Sequence, residues 1–501
     1  MKEKASRSGP QQLVSGGLWS IGFMVLSGFF WLAWGVQVSR RYGPAGFGLF
    51  NMAQSAYNFI WAFVFGGIFE GLIKFGTEHL LEDDSNPAYF FSNYVRYLTG
   101  ISLVVFVILT AASFLISDTI LRILTLSIAF SFLFSGVKDS LASIVGSLKL
   151  NRQLSIINSS RAYIVFILGF AFILLGLPFY ILPTLLLGAT IGQLLISLFF
   201  CRSYLKDLYI SILKIFRIKN KRYFISEDIK NFKYLIFFGL FVSIGKISFN
   251  VMKSLDIMVL NLFFDYENVG IYSVADTASS LLFYMTAFSI PILSSISEAW
   301  KQKDDVLMKE YVKISVKYPL LIGVPLTISI FALARPLILG VYGADFQAAI
   351  IPLQILIVGT FLLMFGYTLS AVLVGIGKPK LSGGLMAAAA IQYIFSLYVL
   401  TPAFGFEGAA LALTLTGVTS LFLIPFFIRY YLKINIFSGI HKIMVSGAIF
   451  AIILFYIPKS NFLTLSLGYV AGLVVFLISL KYTGYIDRDD LKMLSSLRSQ
   501  D

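Results

Sequence analysis

Runs of roughly twenty apolar residues recur along this chain, parted by short polar turns, and they limit the fold more than any other feature of the sequence. A run of that length matches the ~30 Å hydrocarbon core that an α-helix crosses at about 1.5 Å per residue. The runs are continuous rather than alternating, which points to helices and away from a β-barrel. Fourteen are predicted, the first over residues 12 to 39 and the last over 462 to 480. With 58% hydrophobic and only 13% charged residues, and a mean hydropathy of +0.86, the chain reads as an all-α integral membrane protein. The first run does not read as a cleaved signal peptide, because it is too long and follows the polar leader MKEKASRSGPQQ.

One cysteine, Cys201, excludes an intrachain disulfide, and His79 and His441 are too few for a Cys/His metal cluster. Neither a metal nor another cofactor is expected. A net charge of +14 would suit nucleic acid, but its distribution argues otherwise. With both termini cytoplasmic, thirty of the 39 Lys and Arg residues flank inside segments. Five fall outside: Arg40, Arg41, Arg122, Arg335 and Lys459. The excess is therefore a topological label for a multi-pass cell-membrane protein, with some attraction to anionic headgroups. The cluster Lys214, Arg217, Lys219, Lys221 and Arg222 reads as a solvated linker or as a lipid or phosphate contact.

Shifting the sequence by 222 residues lays GFGLFNMA (46 to 53) over NVGIYSVA (268 to 275), and SIVGSLKLN (143 to 151) meets AVLVGIGKPK (371 to 380) at a similar shift. Each copy is a block of six spans, and an even number makes the repeat parallel, related by a pseudo-two-fold axis along the membrane normal. The expected organisation is an N-terminal six-helix lobe (1–208), a basic cytoplasmic linker (209–233), a C-terminal six-helix lobe (234–432), two extra transmembrane helices (433–482) and a cytoplasmic tail (483–501). In the turn YGPAGFG, Gly43 and Pro44 punctuate a tight reversal. Gly408, Ala409, Ala410 and Ala412 offer a small-residue helix face for close packing in lipid.

Fourteen spans as six, six and two, the opening helix GLWSIGFMV, the turn YGPAGFGLFNMA and the segment GFEGAALALTL (405 to 415) together resemble the polysaccharide transporter family. These are the O-antigen and repeat-unit flippases of the multidrug/oligosaccharidyl-lipid/polysaccharide exporter superfamily. The resemblance implies a flippase for oligosaccharides linked to polyprenyl phosphate or diphosphate, acting as a monomer beside a glycan polymerase or glycosyltransferases.

Four basic residues lie within spans: Lys138, Arg161, Lys246 and Lys253. An ionisable group at a helix centre costs about 2.5–3.5 kcal/mol on insertion scales, so each is a candidate for function. Lys246 and Lys253, seven residues apart, share one polar stripe with Asn250. Lys246 has no acid within a turn and reads as a cavity-lining contact for substrate phosphate, or as a group that pairs elsewhere or snorkels. Lys253 has Asp256 three residues on, close enough for an intrahelical pair. Asp256 and Asp276 flank the loop at equal distance and would bind a coupling H⁺ or Na⁺ if they face each other; alternatively, Asp276 is solvated. Asp139 and Arg161 are similarly placed about Leu150, which makes a salt bridge between spans four and five one reading; Lys138 points about 100° away from Asp139 and would face the cavity. Glu70, Lys74 and Glu78 follow the spacing of an intrahelical network. Arg40 and Arg41 stand at the outer mouth, as anchors or as receivers of an anionic headgroup.

Two rival functions remain at this stage. A multidrug exporter of the same superfamily would favour an acidic cavity, whereas the basic residues here exceed the acids inside spans. A membrane glycosyltransferase or polysaccharide polymerase would carry an acidic catalytic motif or a large outside loop, and Glu82, Asp83 and Asp84 fall in a short predicted inside loop. No catalytic residue is assigned, and an enzyme is not expected.

Overall fold

A computed structural model of the chain describes residues 10–66, 68–69, 72–73, 76, 87–148, 150–217, 244–245, 247–437, 439–457 and 462–485. Lys246, the Glu70, Lys74 and Glu78 trio, and the acidic run at 82–84 lie outside the described residues. Among the described residues every regular element is helical. Nine of these helices are long and apolar enough to cross a membrane. Cα packing divides the chain into two compact units, Met1–Ser273 and Val274–Asp501.

In the first unit, α1 (Pro10–Phe65) leaves helical geometry at Gly43, where φ is 66° and ψ is −168°. The rings of Trp34 and Phe50, on either side of that glycine, have centroids 5.4 Å apart; an unbroken helix would hold them about 24 Å apart. The chain therefore doubles back at Gly43, and α1 is a hairpin of two arms. Glycine tolerates the positive φ, and Pro44 opens the second arm with a preset φ and no N–H to satisfy. Helices α2 (Pro87–Phe114), α3 (Thr119–Ser147), α4 (Asn151–Leu174) and α5 (Thr184–Arg217) follow. Asp118 caps α3, accepting from the N–H groups of Ile120 and Leu121. A further helical segment, α6 (residues 247–263), leads to α7 (Tyr266–Ser279).

One face of α3 carries Ser127, Ser131, Ser135, Asp139, Ser143 and Ser147 at four-residue spacing, all buried. The serine hydroxyls bond back to carbonyls on their own helix, as Ser131 does to Ser127 at 2.7 Å. Small satisfied side chains let a neighbouring helix approach closely. That neighbour is the second arm of α1. Tyr57 meets Ser135, Trp61 meets Asp139, and past the end of α1 the Ser147 hydroxyl lies 3.3 Å from the carbonyls of Leu72 and Ile73. Partner numbers rise together, so the two helices run parallel, as they must with only α2 crossing between them. The first arm likewise runs parallel to α4, with Phe30 against Tyr163 and Trp34 filling the space beside Gly169.

Gly48 and Gly270, superposed by the 222-residue shift, press against each other. A Cβ on Gly48 would lie 2.7 Å from the Gly270 nitrogen, and one on Gly270 would lie 2.9 Å from the Gly48 nitrogen.

The second unit contains the end of α7, a 3₁₀ stretch (Ser280–Phe288), α8 (Ser289–Gln302), α9 (Asp305–Ala332), α10 (Ile350–Gly375) and α11 (Pro379–Leu432). α11 breaks at Gly405, with φ 61° and ψ −131°. Gln392 donates to Thr419 at 2.8 Å across the break, although an unbroken helix would separate them by about 40 Å. This hairpin closes with Gly408 against the Leu400 carbonyl, where no Cβ fits, as the small-residue face predicts. Thr360 bonds Ser279, Thr368 bonds the Met285 carbonyl and Gly375 abuts Ile296. That parallel packing repeats the contact of the second arm of α1 with α3. α12 (Ile440–Tyr456) and α13 (Phe462–Tyr482) pair antiparallel, with Ile457 on Gly468 and Phe450 on Phe476. Gly447 packs this hairpin on Val324 and Ile328 of α9.

The hairpins at Gly43 and Gly405 supply two crossings each. With α6, the path from α7 through α8, and α12, the described helices follow the order of the fourteen predicted spans.

Candidate functional site

The first unit holds a half-open cavity of about 440 Å³ bordered by the second arm of α1, α3, α4, α5 and α6. Its size is in the range of ordinary small-molecule sites, about 300–1,000 Å³. Three of the four predicted intramembrane cations line it: Lys138, Arg161 and Lys253.

Lys138 and Asp139 are 8% and 5% exposed, and their side chains form an ion pair at 2.8 Å. The second carboxylate oxygen of Asp139 accepts the Trp61 indole N–H at 2.8 Å. A buried carboxylate needs such partners, because an unpaired charge away from water is strongly disfavoured. Arg161 stands over the Tyr57 ring, 4.5 Å from its centroid, and its Nη2 donates to Gln54 at 3.2 Å. The Arg161 Nε is buried with no hydrogen-bond partner. Gln54 in turn donates to Asn58 at 2.9 Å, so residues one turn apart on α1 carry the network along the cavity wall. Counting Lys138, Arg161, Lys253 and Asp139, the lining is net positive.

The salt bridge expected between Asp139 and Arg161 is absent among the described residues. Asp139 pairs instead with its sequence neighbour Lys138, and Arg161 is engaged by Tyr57 and Gln54. The Cβ directions of adjacent helical residues differ by about 100°, yet a lysine stem is long enough to curl its ammonium back.

The other candidates are dispersed. Lys253 is exposed and faces the cavity, whereas Asp256, on the same helix, is 2% exposed and accepts from the Tyr272 hydroxyl at 3.0 Å and the Ile257 N–H at 2.9 Å. Asp276 is half-buried on α7 and belongs to the second unit. Arg40 and Arg41 are exposed beside the Gly43 turn, with Arg41 at 6.0 Å from the Tyr42 ring. Sequence reasoning missed Trp61, Tyr57, Gln54 and Asn58. The available signal was the four-residue spacing of Gln54 and Asn58, and of Tyr57 and Trp61, inside an apolar run.

Long apolar helices around a polar, charged cavity define a multi-pass membrane protein built as a transporter. The family described as "Polysaccharide biosynthesis protein" matches residues 13–297, and the MatE family matches residues 242–399. The chain belongs to the polysaccharide biosynthesis protein family, within the multidrug/oligosaccharidyl-lipid/polysaccharide exporter superfamily.

Among curated proteins, an uncharacterized membrane protein of Methanocaldococcus jannaschii is 30% identical over 209 residues, covering 40% of each chain. Among solved structures, the lipid II flippase MurJ in an inward closed conformation aligns with a TM-score of 0.73 at 19% identity, over 92% of this chain and 97% of that one. An outward-facing multidrug resistance transporter of the MATE family gives 0.58 at 15% identity, over 86% and 97%. The MATE transporter DinF-BH gives 0.56 at 18% identity, over 86% and 98%. At these identities the likeness carries the fold.

Proposed function

We propose that this protein is a flippase that carries the head of a polyprenyl phosphate- or diphosphate-linked oligosaccharide from the cytoplasmic to the outer leaflet by alternating access. The observation that carries the reading is that Lys138, Arg161 and Lys253 line one cavity in which Asp139, paired with Lys138, is the carboxylate among the lining residues. A phosphate head deprived of water needs charge-assisted donors, and a guanidinium with a free buried N–H supplies one. Lys138 is held ready by Asp139, and an arriving phosphate competes with that carboxylate for the ammonium. Lys246, read from the sequence as a further phosphate contact, and Asp256 and Asp276, each read as a candidate group for H⁺ or Na⁺ coupling, belong to the same proposal. Arg40 and Arg41 would receive the head at the outer mouth.

The MatE match over residues 242–399 favours a second reading, export of small organic cations, with Asp139 as the counter-charge. Reconstitution separates the two. Proteoliposomes are loaded with a fluorescent lipid-linked oligosaccharide, and its arrival in the opposite leaflet is followed with and without H⁺ and Na⁺ gradients. Flippase activity requires gain of the labelled lipid in the far leaflet, with at least a tenfold loss in Lys253→Ala and Arg161→Ala. No lipid movement combined with uptake of an organic cation would replace the proposal with the second reading.

A further inference from the structure

Beside the cations, the cavity lining includes groups of a different chemistry. Trp61 and Phe69 both line the cavity, with ring centroids 6.4 Å apart and planes 59° to one another, so they form one continuous angled aromatic surface. The bond from the Trp61 indole N–H to Asp139 fixes that ring at the edge of the Lys138 and Asp139 pair. Two amides belong to the same lining. Asn158 is exposed to the cavity, and Asn58 already accepts from Gln54, which leaves its NH₂ group to donate.

An apolar core would need no amides here, and a site for phosphate alone would need no aromatic surface. A pyranose ring needs both. Its axial C–H face is apolar and weakly positive, matching the negative face of an indole or phenyl ring, and its rim of hydroxyls matches groups that both donate and accept. We infer that Trp61 and Phe69, flanked by Asn58 and Asn158, bind the sugar residue bonded directly to the phosphate. With the phosphate on Lys138 and Arg161, the first sugar lies against Trp61, because that ring is bonded to Asp139, the carboxylate paired with Lys138. This assignment rests on the proposed phosphate-binding role of the cavity and adds to it a preference for a glycosylated head.

Two probes test it on the purified full chain: farnesyl diphosphate, and farnesyl diphosphate carrying one hexose. The wild type is expected to bind the sugar-bearing probe about tenfold more tightly. Trp61→Ala and Phe69→Ala should each abolish that preference, read as the ratio of the two affinities within each variant, and Phe69→Ala should leave affinity for the bare probe within about threefold. Trp61→Phe, which keeps an aromatic face but loses the bond to Asp139, should retain most of the preference and guards against a folding defect. Lys253→Ala should weaken both probes equally. A wild type that binds both probes alike, or a preference that survives both alanine variants, overturns the sugar assignment and leaves the phosphate reading standing. A wild type that binds neither probe overturns both.

Discussion

The second arm of α1 packs on α3 as the 3₁₀ stretch and α8 pack on α10, yet the two interfaces are built from different chemistry. In the first unit the contacts are Tyr57 with Ser135 and Trp61 with Asp139, whose carboxylate also pairs with Lys138 on its own helix. In the second they are Thr360 with Ser279, Thr368 with the Met285 carbonyl, and Gly375 with Ile296. Hydroxyls are sufficient to hold the second interface, and Thr368 also satisfies itself on the Met364 carbonyl of its own helix. Parallel helix packing of this kind therefore does not require an ion pair. The charged residues at the first interface, Lys138 and Asp139, also line the cavity beside it.

Asp139→Ala should show the largest contrast. It leaves the Lys138 ammonium buried without its partner, and breaking a buried pair costs about 3–5 kcal/mol. Thr368→Val in the second unit should cost only about 1 kcal/mol. Thermal unfolding in detergent measures both, and equal losses would remove the distinction between the interfaces. Gly48→Ala comes next, because its Cβ would meet the Tyr266 carbonyl and the Gly270 nitrogen, a backbone crowding worth about 1–3 kcal/mol. Gly384→Ala, with nothing within 4 Å of its added Cβ, is the control and should be neutral or slightly stabilising. Smaller still is Tyr57→Phe, which removes the bond to Ser135 and keeps the ring under Arg161, at about 1 kcal/mol. A larger loss there would show that the hydroxyl, not the carboxylate, organises the interface.

Much of this scaffold was legible in the sequence because lipid imposes length and turn chemistry locally. The reversals at Gly43 and Gly405 each coincide with a glycine that supplies positive φ, and the two glycines that the 222-residue shift superposes, Gly48 and Gly270, lie in close contact. The cations Lys138, Arg161 and Lys253 were legible as well, since charge inside an apolar run stands out. Their partners were not. The pairing of Lys138 with Asp139 depends on how a flexible stem bends, and Arg161 finds Gln54 and Tyr57 more than a hundred residues away. Phe69 was hidden among 49 Phe residues and Trp61 among five Trp, side chains that suit a lipid-facing or core position equally well. Only a three-dimensional neighbour, Asp139, distinguishes Trp61 from the rest.

The most direct test of a ligand-binding rather than structural role for the charged interface is the double variant Lys138→Met with Asp139→Leu. Replacing a buried ion pair with apolar residues of similar volume is often neutral for stability or better. The folded double variant should unfold within about 1 kcal/mol of the wild type, and its affinity for farnesyl diphosphate should fall at least tenfold. Undiminished binding by a double variant of wild-type stability would contradict the account, as would a loss of stability as large as that of Asp139→Ala.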